Sequence, residues 1–346
     1  MFTGPEGLRL EVRAYGPIMS IRLGYQIPNF SYPGGDPAQI VPTVVRQAQE
    51  ADAAGVDAVL VMDHFYQLPG IGDPDQPMLE AYTLLGALAT ATERVQLSTL
   101  VTGNTYRNPT LLAKEVTTLD LVSAGRAVLG LGAGWFELEH RQLGFEFGTF
   151  TDRFNRLEEA LSIIEPMLRG ERPTVSGEWY RTENAMNEPR LRDDLPILIG
   201  GGGERKTFKY AARHAAHLNL ICNASDIPQK LEALAARCEE EGRDRSTLET
   251  SYLAFVMMDE DGDAARTMHR DFLRSRGVDL DAMDDDQRRA ATDRQFVGTP
   301  DEVAGQLRER VLEPGVDGLI VNMVANGHVP GAVTMMAEAL APLVRS

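Results

Sequence analysis

The sequence predicts an α/β fold, a (β/α)8 TIM barrel with insertions, on three observations. Eight short β-rich runs alternate with helical patterns from Ile21 to the end of the 346-residue chain. The runs are continuously apolar, as parallel strands buried on both faces are. No Pro/Gly/Ser-rich linker divides the chain. A doubly wound open sheet is the alternative, which the number of strands disfavours.

The predicted strands and helices follow from the period of the apolar residues. The strands are 21–27, 58–62, 95–101, 127–131, 196–200, 218–222, 251–257 and 318–321. Apolar residues spaced by three and four predict amphipathic helices over 40–51, 111–122, 154–168 and 231–238. Two helix starts carry capping sequences, Asp226 with Gln229 and Thr299 with Pro300 and Glu302.

We expect one domain over residues 19–346, preceded by a loosely ordered extension over residues 1–18. Residues 174–180, centred on Ser176-Gly177, predict a small hairpin inserted before the fifth strand. Residues 259–295 are crowded with charges and have only a weak helical pattern. A solvated face is the simplest interpretation of this segment. Because it follows the seventh strand, a mobile lid at the barrel mouth is the second.

Composition limits the partners. The net charge of −17, from 34 basic and 51 acidic side chains, argues against nucleic acid and anionic membranes. No stretch approaches the roughly 20 apolar residues of a membrane span, and the first residues lack the apolar core of a secretory signal. Cys222 and Cys238 lie outside any metal or redox motif, and His214 with His217 lacks a third metal ligand. A cytoplasmic protein without a metal site is therefore predicted.

A run of four glycines follows the fifth predicted strand: Gly200, Gly201, Gly202 and Gly203. The order of strand, glycines and helix is typical of an anion site, because the backbone is accessible and the helix presents unpaired N–H groups. Arg205 and Lys206 add positive charge, and Arg107 and Lys114 are placed to join a basic patch. A tight turn without ligand is the alternative. One glycine would be enough for such a turn, so we favour a phosphate-bearing ligand.

Polar residues follow the second and third strands, at the end of a barrel where working residues lie. Asp63 and His64 come directly after the second strand. Such a pair needs partners when buried, and a structural role is as well supported as a functional one. The loop after the third strand contains Thr102, Tyr106 and Arg107, whose hydroxyl and guanidinium groups suit polar ligands.

The fourth strand ends in a second glycine-rich stretch that contains Gly132 and Gly134. Taken alone this is a weak signal, since close packing of helix on strand explains it equally well. Trp135 matters more, because a flat apolar ring beside glycines is a surface for a planar cofactor or substrate. The helix that follows contains Glu137, Glu139 and His140, which could take part in acid–base chemistry, although two carboxylates early in a helix more often interact with the helix dipole.

Four motifs together resemble the luciferase-like monooxygenase superfamily, most closely its branch that uses the deazaflavin coenzyme F420. They are Asp63-His64-Phe65, Thr105-Tyr106-Arg107-Asn108-Pro109, Gly132-Ala133-Gly134-Trp135-Phe136-Glu137 and Ile199-Gly200-Gly201-Gly202-Gly203-Glu204. The resemblance covers residues 21 to about 343 and implies a bacterial luciferase-like barrel, usually dimeric, with the cofactor ring at its C-terminal face.

The resemblance also implies the cofactor contacts. Asp63 and His64 hydrogen-bond the ring and act in catalysis, and the glycines from Gly200 to Gly203 receive the phosphate of the tail. Further contacts to the ring are implied for five residues, Leu100, Val101, Thr102, Gly132 and Gly134. A cis non-proline peptide is expected near Leu100-Val101, at the end of the third strand.

One departure from the family bears on the substrate. The sugar-phosphate dehydrogenases of the branch carry a glutamate directly after the Gly-x-Gly of strand four, whereas this chain has Trp135. An indole cannot supply a proton. We therefore expect an apolar or aromatic substrate that contacts Trp135, Tyr106 and Arg107.

The first hypothesis is an F420-dependent oxidoreductase that moves a hydride between the deazaflavin and a small organic substrate. The second keeps the fold and uses FMN and oxygen as a monooxygenase. The third is a non-catalytic protein that binds or carries a flavin or deazaflavin. A sugar-phosphate barrel without redox cofactor would need catalytic lysines or carboxylates at the strand ends, which are scarce here.

Overall fold

The computed structural model describes residues 20–345, so the predicted extension over residues 1–18 lies outside the described residues. The strands of the described part, β1 to β12, are Leu23–Ile27, Ala58–Val61, Gln96–Thr99, Thr102–Gly103, Leu129–Gly132, Val175–Ser176, Arg181–Thr182, Ile197–Gly200, His217–Leu220, Glu249–Met258, Gln295–Gly298 and Gly318–Asn322. Its α-helices, α1 to α11, are Ile40–Ala53, Ala81–Ala91, Pro109–Val122, Glu137–Leu143, Phe150–Leu168, Thr207–His214, Ile227–Glu240, Gly262–Arg274, Asp285–Thr292, Pro300–Leu307 and Ala332–Val344.

Parallel pairing arranges the strands in a barrel. The order in the sheet is β3-β2-β1-β12-β10-β9-β8-β5-β4. A parallel bridge between Leu97 in β3 and Ala127, two residues before β5, closes the sheet. All eight predicted strands are present, which confirms the predicted TIM barrel. Since every barrel strand runs in the same direction, their carboxyl ends form one rim, on which the predicted site residues lie.

Alternate residues of each strand pack on opposite sides of the sheet. One set fills the barrel interior, a small cluster that includes Ala58, Leu60, Leu198, Leu253 and Ile320. The other set joins the large core between the sheet and the surrounding helices, with Val59, Val61, Ile199 and Val321 among its members. The near-continuous apolar strands of the sequence therefore serve two cores at once.

The third predicted strand, 95–101, ends at Thr99 as β3, and a bulge at Leu100 and Val101 separates it from β4. The Leu100–Val101 peptide between them is cis, at the position that the resemblance implies. β3 pairs with β2, whereas β4 pairs with β5. The continuous apolar run of the sequence does not reveal this break.

One of the two predicted helix caps is confirmed. Thr299 and Glu302 form a capping box at the start of α10, each side chain accepting from the other's backbone N–H. The cap at Asp226 is wrong, because its side chain makes no capping hydrogen bond. A 3₁₀ turn over Ala224–Asp226 leads directly into α7 and holds Asp226 in the helical region, whereas a capping residue needs extended backbone.

The two segments outside the simple alternation contain regular structure. Residues 175–182 form an antiparallel hairpin, β6 with β7. The Glu159 carboxylate on α5 accepts backbone N–H bonds from three hairpin residues, Glu178, Trp179 and Tyr180. The charged segment contains α8 and α9 and leads into β11, a strand not predicted, which pairs with β10. Movement of this segment as a lid stays a prediction.

Candidate active site

Asp63 and Arg107 form a buried ion pair at the end of β2. Asp63 is 2% exposed, and its two carboxylate oxygens lie 2.6 and 3.0 Å from the two terminal nitrogens of Arg107. The Gly103 backbone N–H also donates to Asp63, at 3.1 Å. The acceptor atoms of Asp63 are therefore occupied by groups of the protein itself.

The charge of Arg107 is fully used within the protein. Besides Asp63, it contacts Glu80 at 2.7 Å and Glu115 at 3.1 Å. Burial lowers the pKa of Arg107, but the Asp63 carboxylate outweighs burial and the pKa lies above its usual range. Lys114 likewise donates to the Glu188 carbonyl oxygen at 2.6 Å. Arg107 therefore offers no free charge to the predicted basic patch, whereas the Lys114 ammonium is held at a neutral backbone carbonyl and keeps its charge.

His64 and Tyr106 meet on the carboxylate of Glu139, which is completely buried. The His64 Nδ1 atom lies 3.0 Å from Glu139 Oε2. The Tyr106 hydroxyl donates to the same oxygen. The backbone N–H groups of Phe65 and Tyr66 donate to Glu139 Oε1 at 2.6 and 2.8 Å. One carboxylate thus fixes two predicted site residues and the turn that follows β2.

Protonation in this group follows from its hydrogen bonds. Burial raises the pKa of Glu139, but the bonds from His64, Tyr106 and Tyr66 outweigh burial and hold the pKa below its usual value. For Tyr106, burial and the Glu139 hydrogen bond both raise the pKa. Glu139 is therefore an ionised acceptor and Tyr106 a neutral donor.

Aromatic rings surround His64. Trp135 lies edge-on to the His64 ring, with centroids 5.9 Å apart, and Phe136 lies at the same distance. Trp135 is 59% exposed, so its ring is available to a ligand. His140 is buried behind it and donates from Nδ1 to the Phe136 carbonyl oxygen, while Nε2 lies 2.7 Å from the Thr105 hydroxyl. Burial lowers the pKa of His140, which supports a neutral ring.

The Leu100–Val101 bulge lies between the glycine-rich ends of β5 and β8. A Cβ atom at Gly132 would lie 2.8 Å from a Val101 methyl, and one at Gly200 would lie 2.9 Å from the other methyl. The Thr102 hydroxyl is hydrogen-bonded within the protein, at 2.7 Å from both Tyr82 Oη and Thr99 Oγ1. These glycines are required by Val101, so part of the glycine pattern has a packing origin.

Gly134 is required by its own backbone. Its φ of +81° lies in the left-handed region, and an added Cβ would lie 2.6 Å from Thr105 Oγ1. The turn that follows β5 therefore depends on glycine for its shape.

Two further glycines of the run 200–203 are required by the backbone around them. Gly201 has a φ of +144°, and a Cβ at Gly202 would lie 2.5 Å from the Ile221 carbonyl oxygen. Within the described chain, the backbone N–H groups of Gly202 and Gly203 have no hydrogen-bond partner. Exposed Arg205 follows, and Lys206 reaches Asn155 Oδ1 at 3.2 Å. The loop thus combines internally required glycines with two free donors and nearby positive charge.

The sequence named Glu139 only as one of three acid–base candidates, with Glu137 and His140, and gave it no part in the site. Glu139 is the third residue of α4, where a carboxylate is expected to interact with the helix dipole. Its position two residues after Glu137 gives no sign of burial. Only the fold brings it to the turn after β2, more than 70 residues earlier in the chain.

The profile of the luciferase-like monooxygenase family matches residues 21–318. The chain belongs to this family. One similar protein is an F420-dependent glucose-6-phosphate dehydrogenase from Kineococcus radiotolerans. It is 32% identical over 247 residues, which cover 70% of this chain and 69% of the relative. Another of that name, from Nakamurella multipartita, is 32% identical over 251 residues, 71% of this chain and 70% of the relative.

Solved structures share the luciferase-like fold. An F420-dependent secondary alcohol dehydrogenase, in complex with an F420-acetone adduct, has a TM-score of 0.77 at 23% identity and covers 95% of this chain and 100% of its own. An FMN complex of the oxygenating constituent of 3,6-diketocamphane monooxygenase from Pseudomonas putida has a TM-score of 0.72 at 17% identity, with 94% and 99% covered. The fold thus occurs with both cofactors.

Over residues 20–345, no helix has the length and apolar character to cross a membrane. In that same part of the chain, no three His, Cys, Asp or Glu side chains are grouped to hold a metal ion.

Proposed function

We propose that this protein is an F420-dependent oxidoreductase that transfers a hydride between the cofactor and a small, mostly apolar organic substrate. The observation that carries the proposal is the pair of free N–H donors at Gly202 and Gly203, on the same barrel rim as His64. It is supported by relatives, named F420-dependent dehydrogenases, that align over about 70% of the chain.

The residues at the rim fit such a cofactor. The backbone donors of Gly202 and Gly203, with Arg205 and Lys206 next to them, suit a phosphate. Leu100, Val101 and the glycines around them offer an apolar surface with little side-chain bulk for a planar ring. When bound, the deazaflavin ring supplies or accepts the hydride.

The protein's own contribution is position and proton control. Glu139 holds both His64 and Tyr106 by hydrogen bonds. The site thus has the neutral hydroxyl of Tyr106 and the imidazole of His64, which lies beside Trp135. Asp63 holds Arg107 and the Gly103 backbone, so we assign Asp63 to shaping the rim. Arg107 is assigned to the same role. The Asp63 assignment differs from the ring contact that the resemblance implies, and the Arg107 assignment differs from the expected substrate contact.

Two features support an apolar substrate. Trp135 is exposed at the position for which the resemblance implies a glutamate in sugar-phosphate dehydrogenases. Apolar side chains also pack together at the carboxyl ends of β2, β10 and β12, among them Met62, Met257 and Val324. An exposed indole on the same rim as these side chains favours carbon-rich ligands over a phosphorylated sugar.

The cofactor is tested by titrating the purified protein with F420 and with FMN, followed by anaerobic turnover with alcohols and ketones. We expect F420 to bind at least about tenfold more tightly than FMN and its spectrum to change with a substrate. Tight FMN binding without F420 binding would instead identify a flavin monooxygenase. F420 binding without hydride exchange with any donor or acceptor would identify a carrier protein.

A substitution in the glycine loop tests the proposed phosphate site. Gly203 is exposed, and an alanine there requires only a shift of the Thr207 hydroxyl, 2.9 Å from the added Cβ. We expect Gly203→Ala to weaken F420 binding while the melting temperature stays near that of the wild type. Gly305→Ala in α10 is the matched control, since its Cβ meets no atom within 4 Å. Equal F420 affinity in both variants would contradict the phosphate assignment.

The predicted homodimer belongs to the proposal as well. Three large apolar side chains on α3 are exposed, Leu111, Leu121 and Val122. Exposed apolar side chains on one helix support an interface with a second copy. Light scattering of the wild type and of Val122→Glu tests this, and a monomeric wild type would contradict it.

A further inference from the structure

The hydrogen bonds of Glu139 constrain the proton on His64. Glu139 receives four hydrogen bonds, two from backbone N–H groups, one from the Tyr106 hydroxyl and one that involves His64 Nδ1. An ionised carboxylate has no proton to donate. The His64 Nδ1 atom must therefore carry a hydrogen.

A neutral imidazole has one N–H, so a hydrogen on Nδ1 leaves Nε2 with a lone pair. Within residues 20–345, His64 Nε2 has no hydrogen-bond partner. The side chain is 11% exposed and lies edge-on to the exposed Trp135 ring. The lone pair of Nε2 is thus the only polar group of His64 left for a ligand.

We propose that Glu139 is a positioning residue that fixes His64 as the Nδ1–H tautomer and presents Nε2 to the substrate as a proton acceptor. This inference rests on the proposed function for its substrate. The tautomer itself depends only on contacts within the chain. A group that must receive a proton at Nε2 selects ligands with a hydroxyl or another O–H or N–H donor.

Glu139→Gln tests the assignment because it reverses the hydrogen bond with His64 and keeps the two from backbone N–H groups. The amide oxygen still accepts from the Phe65 and Tyr66 backbone. The amide NH₂ replaces Oε2 and donates toward His64 Nδ1, which favours the Nε2–H tautomer. Tyr106 loses its acceptor in the same change. Tyr106→Phe therefore serves as the control that removes the tyrosine bond and leaves His64 bound to Glu139.

The first measurement is ¹⁵N NMR of the histidine rings in protein without cofactor. The chain has six histidines, and the His64 signals are those that disappear in His64→Ala. We expect the proton on Nδ1 in the wild type and in Tyr106→Phe, and on Nε2 in Glu139→Gln. A wild-type proton on Nε2, or an unchanged tautomer in Glu139→Gln, would overturn the proposal.

The second measurement is turnover with F420. We expect Glu139→Gln to lower kcat/KM by about 100-fold, within the range for general acid–base groups, while F420 affinity changes little. Glu338→Gln, an exposed residue of α11 with the same change of charge, is the control and should match the wild type.

The double variant separates positioning from a general structural effect. If Glu139 acts through His64, Glu139→Gln should cause no further loss in a His64→Ala background. Losses that multiply would overturn the proposal. Absence of turnover in the wild type, with the proton still on Nδ1, would overturn the proposed function and leave the tautomer assignment intact.

Discussion

Two regions of the barrel rim differ in how completely their polar groups are bonded. The β2 edge consists of Asp63, His64, Tyr106, Arg107 and Glu139, and nearly every donor and acceptor in it has a partner in the chain. The glycine loop, residues 200–203, leaves two backbone donors free. A bonded group can be held in one geometry before a ligand arrives, whereas free donors are completed by the ligand.

The comparison changes how the glycines are interpreted. Four glycines in a row seemed more than a turn needs, yet Val101, a positive φ and the Ile221 carbonyl require three of them. The number of glycines is therefore not the sign of a ligand. The sign is the pair of free N–H groups that this tightly packed loop presents.

Arg107→Met should produce the largest effect, on the β2 edge. It leaves the Asp63 carboxylate buried without its partner, which costs about 3–5 kcal/mol of unfolding free energy. Urea unfolding measures the loss. Arg289→Met, which removes an exposed pair with Asp286, is the control, and we expect a change below about 1 kcal/mol. Similar losses in the two variants would show that the Asp63–Arg107 pair does not stabilise the rim.

Gly202→Ala should produce the next largest effect, in the glycine loop. Its Cβ would lie 2.5 Å from the Ile221 carbonyl oxygen, so backbone must move, at a cost of about 1–3 kcal/mol. Thermal unfolding measures the change, with the Gly305→Ala protein beside it. Gly305→Ala should be neutral or slightly stabilising, as alanine is the better helix former. An unchanged melting temperature in Gly202→Ala would mean that the loop is looser than described.

The pH dependence of stability should depend on Glu139. Its pKa is lower in the folded chain than the ordinary 4.5, because hydrogen bonds outweigh the effect of burial. The stabilisation is complete above the unfolded pKa and is lost as the pH falls through the folded pKa. Glu139→Gln has no such proton to take up, so its melting temperature should fall less steeply on acidification. Parallel curves for the two proteins would contradict an ionised Glu139.

Trp135→Ala should change stability least, by about 0.5 kcal/mol or less, because the side chain is mostly exposed. The same variant should raise KM for an apolar substrate more than it lowers kcat. Steady-state kinetics with substrates of increasing apolar size checks this. A KM equal to that of the wild type for every substrate would remove Trp135 from the substrate site.

Much of the fold was predictable because the interior of a parallel barrel leaves a strong pattern. Eight apolar strands, separated by helical periods, were read from the sequence with ends close to those of the structure. The sequence did not predict that β3 pairs with β2 whereas β4 pairs with β5, because the apolar residues Leu100 and Val101 between them continue the strand pattern. β11 was missed because charged residues surround it.

The sequence by itself determined the barrel, its strand order along the chain and the family, because local periodicity and short motifs carry that information. Tertiary structure alone decided which polar groups meet. Asp63 and Arg107 are 44 residues apart, and His64 and Glu139 are 75 residues apart. Neither distance along the chain signals contact. Pairing of parallel strands brings their ends to one rim, and burial then makes each polar side chain take the partner that it finds there.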